Sequence, residues 1–264
     1  MRRFFTIIVL LTVFTLNAEA QWDYSFGNKY RKTRKNVPVI GLKGGLTSYG
    51  MRFSNKYYDD LKMERLLKPG FGIFTEFPIE RFPRLSVGAE ILMIERGMRE
   101  SFDFRESVSE TDEIDAKYID FRIPVTYYFL DERTVSPYVF AAADFAFCYG
   151  GTVSKKFPNG EIDDMTVDIS QSDALINPFD ISVIGGAGVR FKIKFSTFTM
   201  PVKIEADYNF GLLNTMSKKA GTLIDVYAYS FDGEIRKNRG FEFMLGIGIP
   251  FKINRNYDAC RKWN

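Results

Sequence analysis

The 264-residue sequence contains no histidine and only two cysteines, Cys148 and Cys260. Without histidine, a Ser-His or Cys-His relay cannot be assembled, which removes the commonest acid–base chemistry of hydrolases and acyltransferases. Two cysteines do not make a disulfide scaffold. Beyond the N-terminus no uncharged apolar run approaches the roughly 20 residues that a membrane-spanning helix needs. Charge of either sign is not in marked excess. Lys and Arg number 36 against 33 Asp and Glu, and nothing in that balance calls for a nucleic-acid partner. Aromatic residues, by contrast, are plentiful, and 26 of them are Phe.

The one apolar run lies at the start. Arg2 and Arg3 precede the uncharged stretch from Phe4 to Leu16, and Ala18-Glu19-Ala20 follows it. A basic start, a short apolar centre and a small-x-small site form the pattern of a cleaved secretory signal, so residues 1–20 are expected to be removed before Gln21. Residues 21–36, with Lys29, Arg31, Lys32, Arg34 and Lys35, read as a flexible basic arm.

From Val39 onward the dominant signal is period-two alternation, the signature of strands with two unlike faces. In the last such segment Phe241, Phe243, Leu245, Ile247, Ile249, Phe251 and Ile253 take the odd positions. Glu242, Met244, Gly246, Gly248, Pro250 and Lys252 take the even ones. The rhythm recurs over residues 39–48, 70–77, from 85 into the nineties, 117–129, 137–149, 181–194 and 201–210. In the third segment it slips near Ile94 to Met98, which reads as a bulge. Eight strands of about ten residues match the length that a tilted strand needs to cross a bilayer.

The intervening segments alternate in length. Residues 78–84, 130–136 and 195–199 are short, whereas 50–69, 97–116, 150–180 and 211–239 are long. Short turns at one end and long loops at the other describe an up-and-down outer-membrane barrel. The fold expected is therefore an all-β, eight-stranded antiparallel transmembrane barrel over residues 37–253, with 254–264 as a periplasmic tail. A ten-strand barrel using Leu223 to Phe231 is the minor alternative. Asn159-Gly160 and Asp232-Gly233 are hairpin dipeptides that could carry ribbons above the membrane.

Alternation alone does not say which face points inward. A soluble lipocalin-like barrel would bury the apolar face around a ligand; a membrane barrel turns it to lipid. Aromatics at both strand ends favour the membrane, since interface girdles are built this way. Phe77, Phe82, Tyr127, Phe129, Phe195, Phe198 and Phe251 mark one end. Tyr118, Phe147, Tyr149, Tyr208, Phe210 and Phe241 mark the other. The polar face carries Lys43, Glu76, Glu90, Asp120, Arg122, Asp144, Arg190, Lys203, Glu205, Asp207 and Glu242. A basic residue facing lipid costs about 2–4 kcal/mol at mid-membrane. Turned inward, opposite signs can pair in a lumen just wide enough for side chains to fill. These eleven residues are expected to form a charged lumen network. Filling is the plain reading for so narrow a barrel, and a proton or ion path is the functional alternative.

The mature chain resembles the PorT-like outer-membrane β-barrel family of Bacteroidetes. The likeness is carried by VIGLKGGLTS (39–48), PGFGIFTEFPI (69–79), AKYIDFRIPVTYYF (116–129), VIGGAGVRFKI (183–193) and FEFMLGIGIPFKI (241–253). It implies a signal peptide, an outer-membrane barrel and no cofactor. Some members are tied to type IX secretion, but these motifs specify fold rather than that role.

No catalytic, cofactor or metal site stands out. Asp163, Asp164 and Asp168, and Asp112, Glu113 and Asp115, match no calcium-loop spacing; they read as acidic loops facing lipopolysaccharide. The leading functional expectation is a non-enzymatic barrel in contact with outer-membrane lipid and lipopolysaccharide, binding a surface partner through its long loops. A secretion-accessory barrel docking a protein through the basic arm, or a narrow channel, is the alternative.

Cys148 is expected at the outer rim and Cys260 beyond the periplasmic end. The two rims lie about 25 Å apart, whereas a disulfide needs Cα atoms within about 7 Å. Thiol labelling of the denatured, unreduced monomer should therefore find both thiols free. Loss of both would contradict this placement.

Overall fold

The computed structural model describes residues 37–53, 61–104, 108–130, 134–156, 162–167, 176–195, 199–215 and 236–251. The signal, the basic arm, the C-terminal tail with Cys260, residues 223–231, Asp168, Phe198 and both hairpin dipeptides lie outside them.

Nine strands follow in order: β1 (Val39–Phe53), β2 (Leu61–Ile79), β3 (Phe82–Phe104), β4 (Val108–Tyr128), β5 (Val135–Lys156), β6 (Ile162–Val167), β7 (Phe179–Lys194), β8 (Thr199–Gly211) and β9 (Arg236–Pro250). All pairings are antiparallel, and β1 pairs with β9 from Val39↔Pro250 to Phe53↔Arg236, which closes the sheet on itself. The ring is β1-β2-β3-β4-β5-β7-β8-β9. The short β6 pairs only with the end of β5, from Gly151↔Val167 to Lys156↔Ile162. Eight strands therefore make the wall. Closure leaves the wall no free edge, the condition for β structure in lipid.

Burial follows the alternation. Along β9 the pattern from Phe241 to Ile249 is strictly exposed, buried, exposed. Leu42, Phe71, Ile73, Phe121, Phe145, Ile204 and Phe243 all face out. The lipocalin-like arrangement is thus inverted: the apolar face is outside and the polar face inside. At two inward positions glycine makes room for a ring. A Cβ at Gly240 would lie 2.6 Å from the Tyr49 ring, and one at Gly188 would lie 2.6 Å from the end of Tyr138.

Three expectations change. First, the described residues of the first three long connections are largely strand. Residues 61–69, 97–104, 108–116 and 150–156 continue β2, β3, β4 and β5 as paired ribbons. β3 has 23 residues, about 75 Å at ~3.3 Å per residue, far more than a bilayer crossing uses. The hairpin of β5 and β6 extends this ribbon.

Second, β3 does not bulge at Ile94 to Met98. It pairs with β4 without a break from Glu90↔Arg122 to Phe104↔Val108. The slip is one of polarity, because Leu92, Ile94 and Met98 are apolar residues on the inward face. The irregularity lies on β2, where pairing to β3 shifts between Arg65 and Gly70. Pro69 has no N–H to continue that ladder. The buried Thr47 hydroxyl approaches the carbonyls of Glu95 (2.8 Å) and Lys68 (3.2 Å) there.

Third, Tyr118 is not part of the outer aromatic girdle. It shares the even, inward parity of Asp120 and is 1% exposed. Phe147, Tyr149, Phe210 and Phe241 do face out at that end, and Phe77, Phe82, Tyr127, Phe129 and Phe195 at the other.

Leu245 lies midway along the outward face of β9 and is 47% exposed. Replacing it by Arg should lower stability in lipid vesicles by about 2–4 kcal/mol, read from urea unfolding. An unchanged midpoint would mean that this face does not meet lipid.

Candidate functional site: the charged lumen

Strand alternation aims one side chain in two at the barrel axis, so the site is the inner face itself. All eleven residues of the polar face are buried there. They divide into levels along the axis.

Nearest the short turns, Glu76 accepts hydrogen bonds from the Tyr128 hydroxyl (2.8 Å) and pairs with Lys203 at 2.5 Å and Arg190 at 3.5 Å. The Arg190 guanidinium lies 3.6 Å from the Tyr128 ring centroid. One level up, Lys43 sits between Glu205 (2.5 Å) and Glu90 (3.0 Å). The Tyr138 hydroxyl donates to Glu205 at 2.6 Å, and Lys203 lies 4.0 Å from the same carboxylate. The charges thus alternate in one chain: Arg190, Glu76, Lys203, Glu205, Lys43, Glu90. Glu76, Glu90, Lys203 and Glu205 also line a small void of about 10 Å³, the space of a single water.

At mid-height Arg122 donates two hydrogen bonds of 2.8 Å to Glu242, the paired geometry that arginine and carboxylate favour. β4 and β9 stand four places apart in a ring of eight, so this contact crosses the full lumen. The Tyr49 hydroxyl also donates to Glu242. Arg122 donates to Asp120 at 2.9 Å.

Above it, Arg96 reaches Asp120 (2.8 Å), Asp180 (3.2 Å) and Asp144 (3.5 Å). Its guanidinium stacks near the rings of Tyr118 (4.3 Å) and Tyr49 (4.8 Å). Ser182 and Asn209 donate to Asp144 at 2.8 and 3.0 Å. Asn238 donates to Asp180 at 2.8 Å. A cluster of Met98, Ile114, Ala116, Tyr118, Ala146, Cys148 and Ile176 covers this level on the ribbon side. Ile176 is brought in by its own stretch of backbone, since Asn177 donates to the Thr215 carbonyl and Cys148 to that of Pro178.

Asp207 stands apart. It is 4% exposed and lies opposite Glu242 in the β8–β9 register. Neither of its carboxylate oxygens has a hydrogen-bond partner among the described residues.

The sequence reading missed Arg96, Asp180, Arg236 and the four inward tyrosines Tyr49, Tyr118, Tyr128 and Tyr138, all buried. Each of the three charged residues keeps the parity of a recognised neighbour: Arg96 with Glu90, Asp180 with Arg190, Arg236 with Glu242. Carrying the phase past the assumed strand ends would have found them. Of the acidic pairs considered for metal, Asp115 and Glu113 are taken up by Lys68 (2.5 Å) and Arg99 (3.1 Å). Among the described residues no group of three or more metal-ligating side chains converges.

A comparison with curated sequences found no match. Solved structures similar to this chain include OprG from Pseudomonas aeruginosa, at 10% identity and TM-score 0.44, covering 83% of this chain and 98% of that one. Neisserial surface protein A matches at 11% identity and TM-score 0.40, with 81% and 97% covered. Ail of Yersinia pestis matches at 13% identity and TM-score 0.35, with 82% and 100% covered. The family model for the outer membrane protein beta-barrel domain matches residues 39–217. A match over more than half of the sequence, on a chain whose strands close into an eight-stranded ring, places this protein in the outer-membrane β-barrel domain family, in the bacterial outer membrane.

Proposed function

We propose that this protein is a sealed, non-enzymatic barrel that carries its β-ribbons outward from the outer membrane to bind a surface partner or matrix component. The observation that carries this reading is the Arg122–Glu242 contact across the lumen, flanked on both sides by further ion pairs. An eight-stranded wall leaves room for little beyond side chains, and here they bond to each other across the axis. Apart from Asp207, the inward carboxylates of the described residues each pair with a base, and the chain has no histidine. The ribbons of β2 to β6 rise from the end with long connections, which faces outward in barrels of this kind. Their role would be recognition, with the sealed wall as a rigid mount.

A second reading, a secretion-accessory barrel or narrow channel, draws on the basic stretch from Lys29 to Lys35 and on the resemblance to the PorT-like proteins of Bacteroidetes. The two readings separate in planar bilayers. The purified barrel should add no resolvable conductance steps above the bare membrane. Regular ion-conducting steps would instead favour the channel.

The cross-lumen bond should also dominate stability. Arg122→Ala leaves Glu242 buried without its base and should cost about 3–5 kcal/mol. Adding Glu242→Gln should recover part of that loss, because the stranded charge is gone. Strictly additive effects in urea unfolding would show that the two side chains do not depend on each other.

A further inference from the structure

The outer surface carries one basic patch that the lumen network does not use. On β8 and β9 the outward Tyr208 and Phe241 are register partners, and their rings meet edge to face at 4.8 Å. One step further from the membrane centre, Phe210 pairs with Arg239, and the Arg239 guanidinium lies flat over the Phe210 ring at 3.3 Å from its centroid. Gly50 on β1 is the register partner of Arg239 on the other side. A Cβ on Gly50 would come within 3.1 Å of the Arg65 side chain, so Arg65 crosses β1 at this glycine. Its guanidinium comes to rest 5.4 Å from the centroid of Phe241. Two arginines from β2 and β9 are thus brought together over an aromatic shelf, with Lys237 two residues beyond Arg239 on the same outward face.

Neither arginine, nor Lys237, has a carboxylate partner among the described residues. The bases of the neighbouring ribbon differ. Lys68 pairs with Asp115 at 2.5 Å, and Arg99 pairs with Glu113 and Glu64 at 3.1 and 3.5 Å. The patch also has a defined height. Phe241 and Phe251 are ten residues apart on one strand and its continuation, about one bilayer crossing. Phe243, Leu245 and Ile247 fill the lipid-facing positions between them. The arginines therefore stand just above the hydrocarbon, at headgroup level. Their guanidinium N–H groups match phosphate oxygens, and the Nε of Arg239 is buried with no hydrogen-bond partner among the described residues.

We propose that Arg65 and Arg239, supported by Lys237, bind the phosphate of a phosphorylated glycolipid headgroup in the outer leaflet, with its acyl chains lying along Phe243 and Leu245. The site lies outside the barrel and is independent of whether the lumen conducts.

The test is native mass spectrometry of the full barrel released from detergent with added monophosphoryl lipid A. The wild-type chain should retain the lipid. Arg65→Gln with Arg239→Gln should weaken retention at least about tenfold, as loss of two headgroup cations implies. Removing the phosphate from the lipid should have the same effect on the wild-type chain. Faster migration of the unheated double variant on gels verifies that it is folded. Should it not close, Arg65→Gln alone carries the test, because that exposed residue makes no ion pair among the described residues. Equal retention by wild type and variant overturns the proposal. So does loss in the variant when the dephosphorylated lipid binds the wild type as well as the parent, since the patch would then be reading acyl chains rather than phosphate.

Discussion

The structure depends on one electrostatic constraint: fourteen charged side chains buried in one narrow lumen must neutralise each other. Six are basic and eight acidic among the described residues. Taking an ion out of water costs several kcal/mol unless geometry and hydrogen bonds compensate. Compensation here comes from reach across the barrel. Arg122 and Glu242 belong to opposite strands, as do Arg190 and Glu76. The wall thus fixes its own diameter from inside, and the lipid outside meets only the apolar half of each strand. Three tyrosines complete the arrangement: the hydroxyls of Tyr49, Tyr128 and Tyr138 donate to Glu242, Glu76 and Glu205, and the rings of Tyr49 and Tyr138 fill space beside glycine. Among the described lumen acids Asp207 is the one left without a bond, facing Glu242, which Arg122 and Tyr49 already occupy.

The wall was legible in the sequence because a membrane barrel sets two unlike solvents against alternate residues. Phe241 to Ile249 shows this without a break. Parity then assigned Lys43, Arg122, Glu205 and Glu242 to one face. Legibility failed where the two solvents cease to differ. In the ribbons, residues 61–69 and 108–116 carry charged residues at both odd and even positions, so they lose the alternation and read as loop. Near the outer end of the lumen the inward face turns apolar, and Leu92, Ile94 and Met98 blurred the phase that would have exposed Arg96. Tyr118 was misplaced because a tyrosine at a strand end suits a girdle as well as a lumen; only the parity of Asp120 distinguishes the two.

A wall braced from within has a consequence for what the protein can do. Bonds that span the axis resist widening, so on the proposed reading recognition would fall to the parts that project beyond the wall and to its outer rim. The ribbons of β2 to β6 keep their register through backbone pairing. At the rim, Arg65 and Arg239 show the same economy of construction, using the girdle aromatics as a platform for charge.

Two features decide how the barrel sits in the membrane: the direction in which the two strand faces point and the closure of the inner one. Single tryptophans test both together. With Trp22 and Trp263 replaced by Phe, one tryptophan would be placed at outward Phe121 or Phe243, or at inward Phe74, in vesicles of brominated lipid. Quenching by the acyl chains is expected at 121 and 243 and not at 74, and aqueous acrylamide should leave position 74 untouched. Strong acrylamide quenching at 74 would mean an open, water-filled lumen, and bromine quenching there would mean that the faces are reversed.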